Sequence, residues 1–191
     1  MSTAKLIQIT PDAMSLLKTA AGQCYQKEAS NTVIRHIIKA GHLSVLEHCS
    51  ATFEVTCSLL VLLQMTRHRH LSFTVQSSRG SVLGTNHQTG KAEIDAILAS
   101  EMQEYQSLLS HGYSKSEAAY VMPKAVEYHL VVTGNFRAWF EYLPKRMCKR
   151  ASEEHRELAY TIYRELVSAC PEVFGNVKLP CATCQEKGCS Y

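Results

Sequence analysis

No long apolar run occurs in this sequence of 191 residues. The longest, Leu59 to Leu63, is far too short to span a bilayer, so no membrane partner is expected. The opening residues, MSTAKLIQIT, lack a basic start followed by an extended apolar stretch, so no export signal is expected there either. Neither sign of charge is in large excess. The net charge of +3 is too small for bulk electrostatics to argue for a nucleic-acid partner. Glycine-rich dinucleotide fingerprints and phosphate loops are missing, which excludes the nucleotide folds built on those motifs. Internal repeats, low-complexity tracts and obvious linkers are missing too. What remains is an apolar fraction of 46% and a charged fraction of 19%, ordinary for a soluble globular domain long enough to bury a core. Without an export signal, the eight cysteines read as thiols or metal ligands in a reducing cytoplasm rather than as a disulfide framework.

The local pattern mixes helices with a few strands. Thr10-Pro11-Asp12 reads as a helix start with threonine as N-cap, the helix running to about Cys24. Ser30 can cap a second helix whose Val33, Ile34, Ile37 and Ile38 share a face, with Gly41 ending it. Ala51, Phe53 and Val55 alternate with polar neighbours as a half-buried strand does, and so do Val126, Tyr128, Leu130 and Val132. Ser58 to Met65 reads as a helix, Gly80 to Gly90 as a loop, and Ala92 to Leu109 as a long amphipathic helix. Ser114 to Glu117 has capping-box spacing for a short helix stopped by Pro123. Helical segments follow from about Phe136 to Lys149, with Pro144 as a kink, and from Ala151 to Ala169. The stretch after Pro171 reads as irregular. The fold class expected is α+β, as one domain over 1–175 with a cysteine-containing tail over 176–191.

The most informative stretch is RHRHLSFTVQSSR, from Arg67 to Arg79. Arg67, His68 and Arg69 in a row are costly to bury and seldom needed for packing. The helix before them delivers them at its C-terminal end, where the macrodipole favours cations. Neutral hydrogen-bonding groups follow, then Ser77 and Arg79. That mixture suits a ligand with phosphate oxygens and a polar ring, because guanidinium forks onto phosphate and hydroxyls orient the rest. It also suits a solvated charge cluster or a basic patch on nucleic acid. No aromatic platform extends the patch, as single-strand binding would want.

Arg-His-Arg, seven residues, then Ser is the signature of the flavin-dependent thymidylate synthase (ThyX) family, and Arg67, His68, Arg69 and Ser77 meet it. The segment Gly41 to His48 (GHLSVLEH) resembles the family's upstream segment, and Thr133 to Trp139 (TGNFRAW) its downstream one. Arg146, Arg150-Ala151 and Arg156 to Ala159 fit the helix that follows. The resemblance implies a ThyX-like fold, an antiparallel sheet flanked by helices, assembled as a cytoplasmic homotetramer whose subunits share active sites. It implies FAD contacts by Ser44, Glu47, Arg67, His68, Arg69, Asn135 and Arg137, and dUMP contacts by Gln64, Arg67, Ser77, Arg79 and Arg146. Methylenetetrahydrofolate would supply the carbon and NADPH the reducing equivalents. Arg146 would sit against the uracil, where a fixed guanidinium stabilises the N3 anion and makes C5 more nucleophilic without an enzyme thiol at C6.

Ser77 has no evident base beside it in the motif, so hydrogen bonding to the nucleotide is the simpler role, with covalent catalysis the other. His68 could act as a base on paper. Between two arginines its cation is disfavoured, which points to a neutral donor-acceptor on the flavin. His42 and His48 read as polar contacts near the flavin or as structural hydrogen bonds, and Trp139 as core. Cys24, Cys49, Cys57 and Cys148 read as thiols inside elements. Cys181, Cys184 and Cys189 have a spacing that could begin a zinc site, with Cys170 or His155 as fourth ligand, or they are free thiols of a tail.

The chain departs from the family pattern at five positions. Gly80 stands where the motif carries an aromatic residue, Val75 where a polar one is common, and Gly22 where an arginine is frequent. Ala119 stands where the resemblance places an arginine on the nucleotide phosphate, and Glu141 where it places Asn or His near the flavin. Two other readings stay open beside dUMP methylation: flavin-dependent alkylation or hydroxymethylation of a different pyrimidine nucleotide, and a non-catalytic nucleotide- or nucleic-acid-binding protein.

Overall fold

A computed structural model describes residues 2–24, 26–181, 184 and 189. A four-stranded antiparallel sheet in the order β1-β2-β4-β3 is its frame, with β1 Thr3–Ile9, β2 Ser50–Ser58, β3 Leu71–Val75 and β4 Glu127–Asn135. Between and after the strands come α1 Ala13–Gln23, α2 Asn31–Lys39, α3 Leu59–Met65, α4 Ala92–Ser110, α5 Lys115–Ala118, α6 Phe136–Arg146, α7 Glu153–Ala169 and α8 Pro171–Phe174. Short 3-10 turns cover Ser44–His48 and Ala119–Val121. Mixed helix and antiparallel sheet is the α+β class expected.

Alternation decides which face of the sheet is packed. On β2, Ala51, Phe53, Val55 and Cys57 are buried, and on β4 Tyr128, Leu130, Val132 and Gly134. Period 2 puts each set on one face. The opposite face is polar and partly wet: Thr52 meets Thr133 at 3.0 Å and Thr56 meets His129 Nδ1 at 2.9 Å across the β2–β4 pair. Helix α6 lies on the packed face. Trp139 stacks edge-on against Phe53 at 5.2 Å and donates its indole N–H to the Ala51 carbonyl at 3.0 Å. A Cβ on Gly134 would collide with the Leu71 side chain and crowd the same indole, so only glycine lets β3, β4 and α6 close together there.

Several boundaries differ from expectation. Helix α1 begins at Ala13 after Asp12 in a left-handed conformation, with no side-chain cap. Thr10 is used elsewhere: its hydroxyl accepts from the Ser50 amide at 2.8 Å and so ties the end of β1 to the start of β2. Strands β1 and β3 were not foreseen. Residues 136–149 are helical only to Arg146, with Pro144 inside the last turn. After Ala169, Pro171–Phe174 forms a helical turn rather than irregular chain, and Phe174 packs edge-on against Phe136 at 5.0 Å. Cys24 is exposed and Cys148 half-buried, while Cys49 and Cys57 are buried as expected. Much of the expected tail, 182–183, 185–188 and 190–191, lies outside the described residues; Val177, within its described part, is buried in the core. Among the described residues, no helix is long and apolar enough to cross a membrane.

Candidate active site

Helix α3 is capped by Ser58, whose hydroxyl accepts from the Val61 amide at 3.2 Å. It ends at Met65, so Arg67-His68-Arg69 emerges at its C-terminus as the motif required. Helix α6 starts beside the same end of the sheet. The Asn135 carboxamide caps it, its oxygen accepting from the Ala138 amide at 2.8 Å, which leaves its NH2 for other use. One turn apart, α6 then presents Ala138, Glu141, Tyr142 and Lys145 toward the motif. The recess between Arg67–Leu71 and these residues has a volume of about 260 Å³. A second recess of about 230 Å³ adjoins it, sharing His70, Ala138 and Glu141 and adding Glu47, Asn135 and Arg137.

Beneath, the half-buried Gln64, His68 and Arg146 and the buried Tyr142 and His155 form a continuous polar chain. Arg146 donates from Nε to His68 Nε2 at 2.8 Å and from Nη2 to the Gln64 backbone carbonyl at 2.9 Å. Gln64 Oε1 lies 3.2 Å from His155 Nδ1, and His155 Nε2 lies 2.9 Å from the Tyr142 hydroxyl. Tyr142 also packs edge-on against His68 at 4.8 Å. Burial, then Arg146, then Lys145 push the His68 pKa down to about 4. Burial, then Arg146, then His68 push that of His155 down to about 3, and burial raises that of Tyr142. Both imidazoles are therefore neutral and the phenol protonated at ordinary pH. His68 accepts from Arg146, so it is not available as a base at Nε2.

Among the described residues, the side chains of Arg67 and Arg69 make no hydrogen bond or ion pair, and both are exposed. Unpaired guanidiniums at the mouth of a recess fit an anionic group such as a pyrophosphate. Arg137 is engaged: Nη1 donates to Glu47 Oε1 at 2.6 Å and Nε to Glu141 Oε1 at 2.9 Å. These hydrogen bonds, that to Glu141 first, raise the Arg137 pKa further. Ser44 is exposed on the same 3-10 turn as Glu47. His42 and His48 are exposed.

Ser77 and Arg79 are not part of this cluster. They lie beyond the far end of β3, which pairs Leu71 with Gly134 and Val75 with Leu130. Leu71 and Ser77 are six residues apart along extended chain. At ~3.3 Å per residue that is roughly 20 Å. There the Ser77 hydroxyl caps its own turn, accepting from the Arg79 and Gly80 amides at 3.3 and 3.1 Å. No base touches it among the described residues. Lys115 donates to the Gly80 carbonyl at 3.0 Å and brings a second cation to Arg79's loop.

Two of the five departures have a steric setting. A Cβ on Gly22 would collide with the Lys27 carbonyl, so no arginine fits there. Val75 is half-buried on β3 and packs against the core. Ala119 is half-buried at the start of a 3-10 turn, one turn after Lys115. Cys181, Cys184 and Cys189 form no group of three or more ligands that could hold a metal, with Cys170, with His155 or otherwise, among the described residues. Cys170 is buried and His155 is committed to Tyr142 and Gln64.

Sequence reasoning missed Tyr142, His155 as a hydrogen-bonding residue, and Lys115. A signal for His155 was available: it is in helical register with Leu158, Ala159, Ile162 and Leu166, all buried on α7.

A sheet of this topology with an arginine-rich recess at one end defines a class already described in other proteins. The family model for thymidylate synthase complementing protein matches residues 5–172. The flavin-dependent thymidylate synthase of Mycobacterium sp. (strain JLS) is 31% identical over 86% of this chain and 80% of its own length. That of Mycobacteroides abscessus is 32% identical over 85% of this chain and 78% of its own. The structure of thymidylate synthase X from Helicobacter pylori with FAD and dUMP superposes with a TM-score of 0.84 at 22% identity, covering 91% of this chain and 97% of that one. A UMP/dUMP methylase, PolB from Streptomyces cacaoi, superposes at 0.79 and 20% identity, covering 92% and 94%. The chain belongs to the family of flavin-dependent thymidylate synthases.

Proposed function

We propose that this protein carries out the FAD-dependent reductive methylation of dUMP at C5, giving dTMP, with methylenetetrahydrofolate as carbon donor and NADPH as reductant. The observation that carries the reading is the Arg146 guanidinium, fixed by His68 and Gln64 beside a recess whose mouth holds two unpaired arginines. Bound flavin would supply the redox and carbon-transfer chemistry. Arg67, Arg69 and the Asn135 NH2 hold the cofactor, with Ser44, Glu47 and Arg137 at the rim. Arg146 Nη1, which makes no hydrogen bond among the described residues, would offer its donors to a pyrimidine edge. Donors fixed there favour loss of the N3 proton and raise electron density at C5. In the balance, C5 loses its proton and gains the folate's carbon. NADPH supplies the electrons that make it a methyl, leaving tetrahydrofolate and NADP⁺.

No cysteine lines either recess among the described residues. Burial pushes Cys49 up to about 11 and Cys57 up to about 12, which disfavours both thiolates. That supports a route without thiolate addition to C6. The separation of Ser77 and Arg79 from Gln64 and Arg146 supports a site completed by a second copy; a cytoplasmic homotetramer is the assembly that the family resemblance implies. There Arg79, Ser77 and Lys115 of one copy hold the phosphate of the nucleotide whose base lies on Arg146 of another. Residues 1–175 would act as one catalytic domain, with 176–191 as its tail.

The test is product analysis. Protein with a flavin absorbance band, given NADPH, methylenetetrahydrofolate and a panel of dUMP, UMP and dCMP, is expected to convert dUMP to a product heavier by one methylene unit. A colourless protein, or mass gained only by another nucleotide or as a hydroxymethyl group, contradicts the reading.

A further inference from the structure

The direction of the polar chain under the recess is fixed by hydrogen-bond accounting. Tyr142 is 1% exposed and His155 0%. The Tyr142 hydroxyl has one partner among the described residues, His155 Nε2. If Nε2 carried the imidazole proton, the phenolic proton would be buried without an acceptor, the costlier arrangement. Tyr142 therefore donates to Nε2, and the ring proton sits on Nδ1. Nδ1–H then donates to Gln64 Oε1. The backbone of Gln64 is held from the other side, its carbonyl accepting from Arg146 Nη2 at 2.9 Å. With its oxygen turned to His155, the other end of the Gln64 carboxamide, free for a ligand, is the NH2.

We propose that His155, oriented by Tyr142, is a positioning residue that locks the Gln64 amide with its NH2 toward the ligand, so that Gln64 selects an oxygen atom of the bound nucleotide and rejects an amino group. The role rests on the reading of the recess as a pyrimidine nucleotide site. An unlocked glutamine can turn its carbonyl outward and accept from an amino group, whereas a locked one presents donors only. Arg146, bonded to the same residue's backbone, likewise has donors alone. The oxygen is a carbonyl of the base, where an amino group would stand in its place.

Two measurements test this. The first needs no ligand: nitrogen-15 spectra of histidine-labelled, flavin-loaded protein are expected to show His155 neutral with its proton on Nδ1. The second is calorimetry of dUMP, dCMP and deoxyuridine on flavin-loaded wild type, H155L, H155N and Y142F. H155L is expected to weaken dUMP roughly tenfold with the flavin band intact. H155N should restore most of the loss, because its amide NH2 stands close to where Nδ1–H stood. Y142F, which deletes one hydroxyl and keeps the packing, should release the tautomer and weaken dUMP by a smaller factor. A narrowed gap between dUMP and dCMP assigns the oxygen to the base. An equal loss for both overturns the rejection of an amino group. A wild-type proton on Nε2, or H155L binding dUMP as wild type does, overturns the proposal. Wild type that binds none of the three sinks the nucleotide reading and the selectivity role with it, and the ligand-free tautomer tells that failure apart.

Discussion

Arg146 Nε stands 2.8 Å from Nε2 of His68, with the imidazole as acceptor. One residue comes from the end of α6 and the other from the turn after α3, so the pair ties α6 to the motif at a residue that lines the recess. The contact holds the guanidinium plane while leaving Nη1 for a ligand. It also requires a neutral imidazole.

That requirement has a pH signature. His68 and His155 are held down to about 4 and about 3 from an ordinary 6.5, so each binds protons more weakly folded than unfolded. As pH falls below 6.5 toward 4, the unfolded chain takes up protons that the folded chain refuses. Stability should be full above that window and fall through it. Urea unfolding midpoints across the window are expected to drop for wild type and to drop less for H155L, which has one titrating ring fewer. An equal slope for both would remove His155 from the account.

Arg146→Ala should lower dTMP formation by about two to three orders of magnitude, the loss seen when a fixed donor to a developing anion is removed. The flavin band should largely survive, because Arg67, Arg69 and Asn135 are untouched. Arg146→Lys should not rescue, since an ammonium cannot serve His68, Gln64 and a ligand from one plane. Near-normal turnover by either variant would disprove the role in N3 ionisation.

Glu141 places a carboxylate on both recesses and holds Arg137 at 2.9 Å. Glu141→Gln removes a negative charge from the approach of an anionic cofactor. FAD is expected to bind severalfold tighter by fluorescence titration of the flavin-free protein, with the gain shrinking as salt rises. Weaker binding would mean that Glu141 itself holds the cofactor.

Ser77→Ala separates hydrogen bonding from covalent catalysis. Its hydroxyl is bonded to the Arg79 and Gly80 amides and to no base among the described residues. The variant should raise KM for dUMP by roughly tenfold or less, with kcat mostly kept. Abolished turnover at saturating nucleotide would restore the nucleophile reading.

The elements that read clearly in the sequence were those whose local chemistry agrees with their packing. β2 and β4 alternate cleanly, α3 has Ser58 as its cap, and Ser114 with Glu117 forms the expected capping box. β3 was hidden because Leu71 to Val75 is short and embedded in the polar motif, so its pattern reads as site rather than strand. β1 was hidden because its residues are half-buried to exposed at the sheet edge. Thr10 misled because a hydroxyl able to cap a helix can equally tie two strands. Arg67, His68, Arg69, Glu47, Asn135 and Arg137 could be named through the family resemblance, but the separation of Ser77 from Arg146 could not, since it depends on the direction of β3. His155 sits among Glu153, Glu154, Arg156 and Glu157, so its neighbours read as a solvated face although its register is buried.

The central claim is that each nucleotide is gripped by Arg79 of one copy and Arg146 of another. It is tested most directly by co-expressing Arg79→Glu and Arg146→Ala chains under two different tags, purifying only the mixed assembly, and measuring dTMP formation. Each parent alone is expected to be nearly inactive. The mixed assembly should regain activity, because some sites then pair an intact Arg79 with an intact Arg146. A mixed assembly as inactive as its parents would contradict the account.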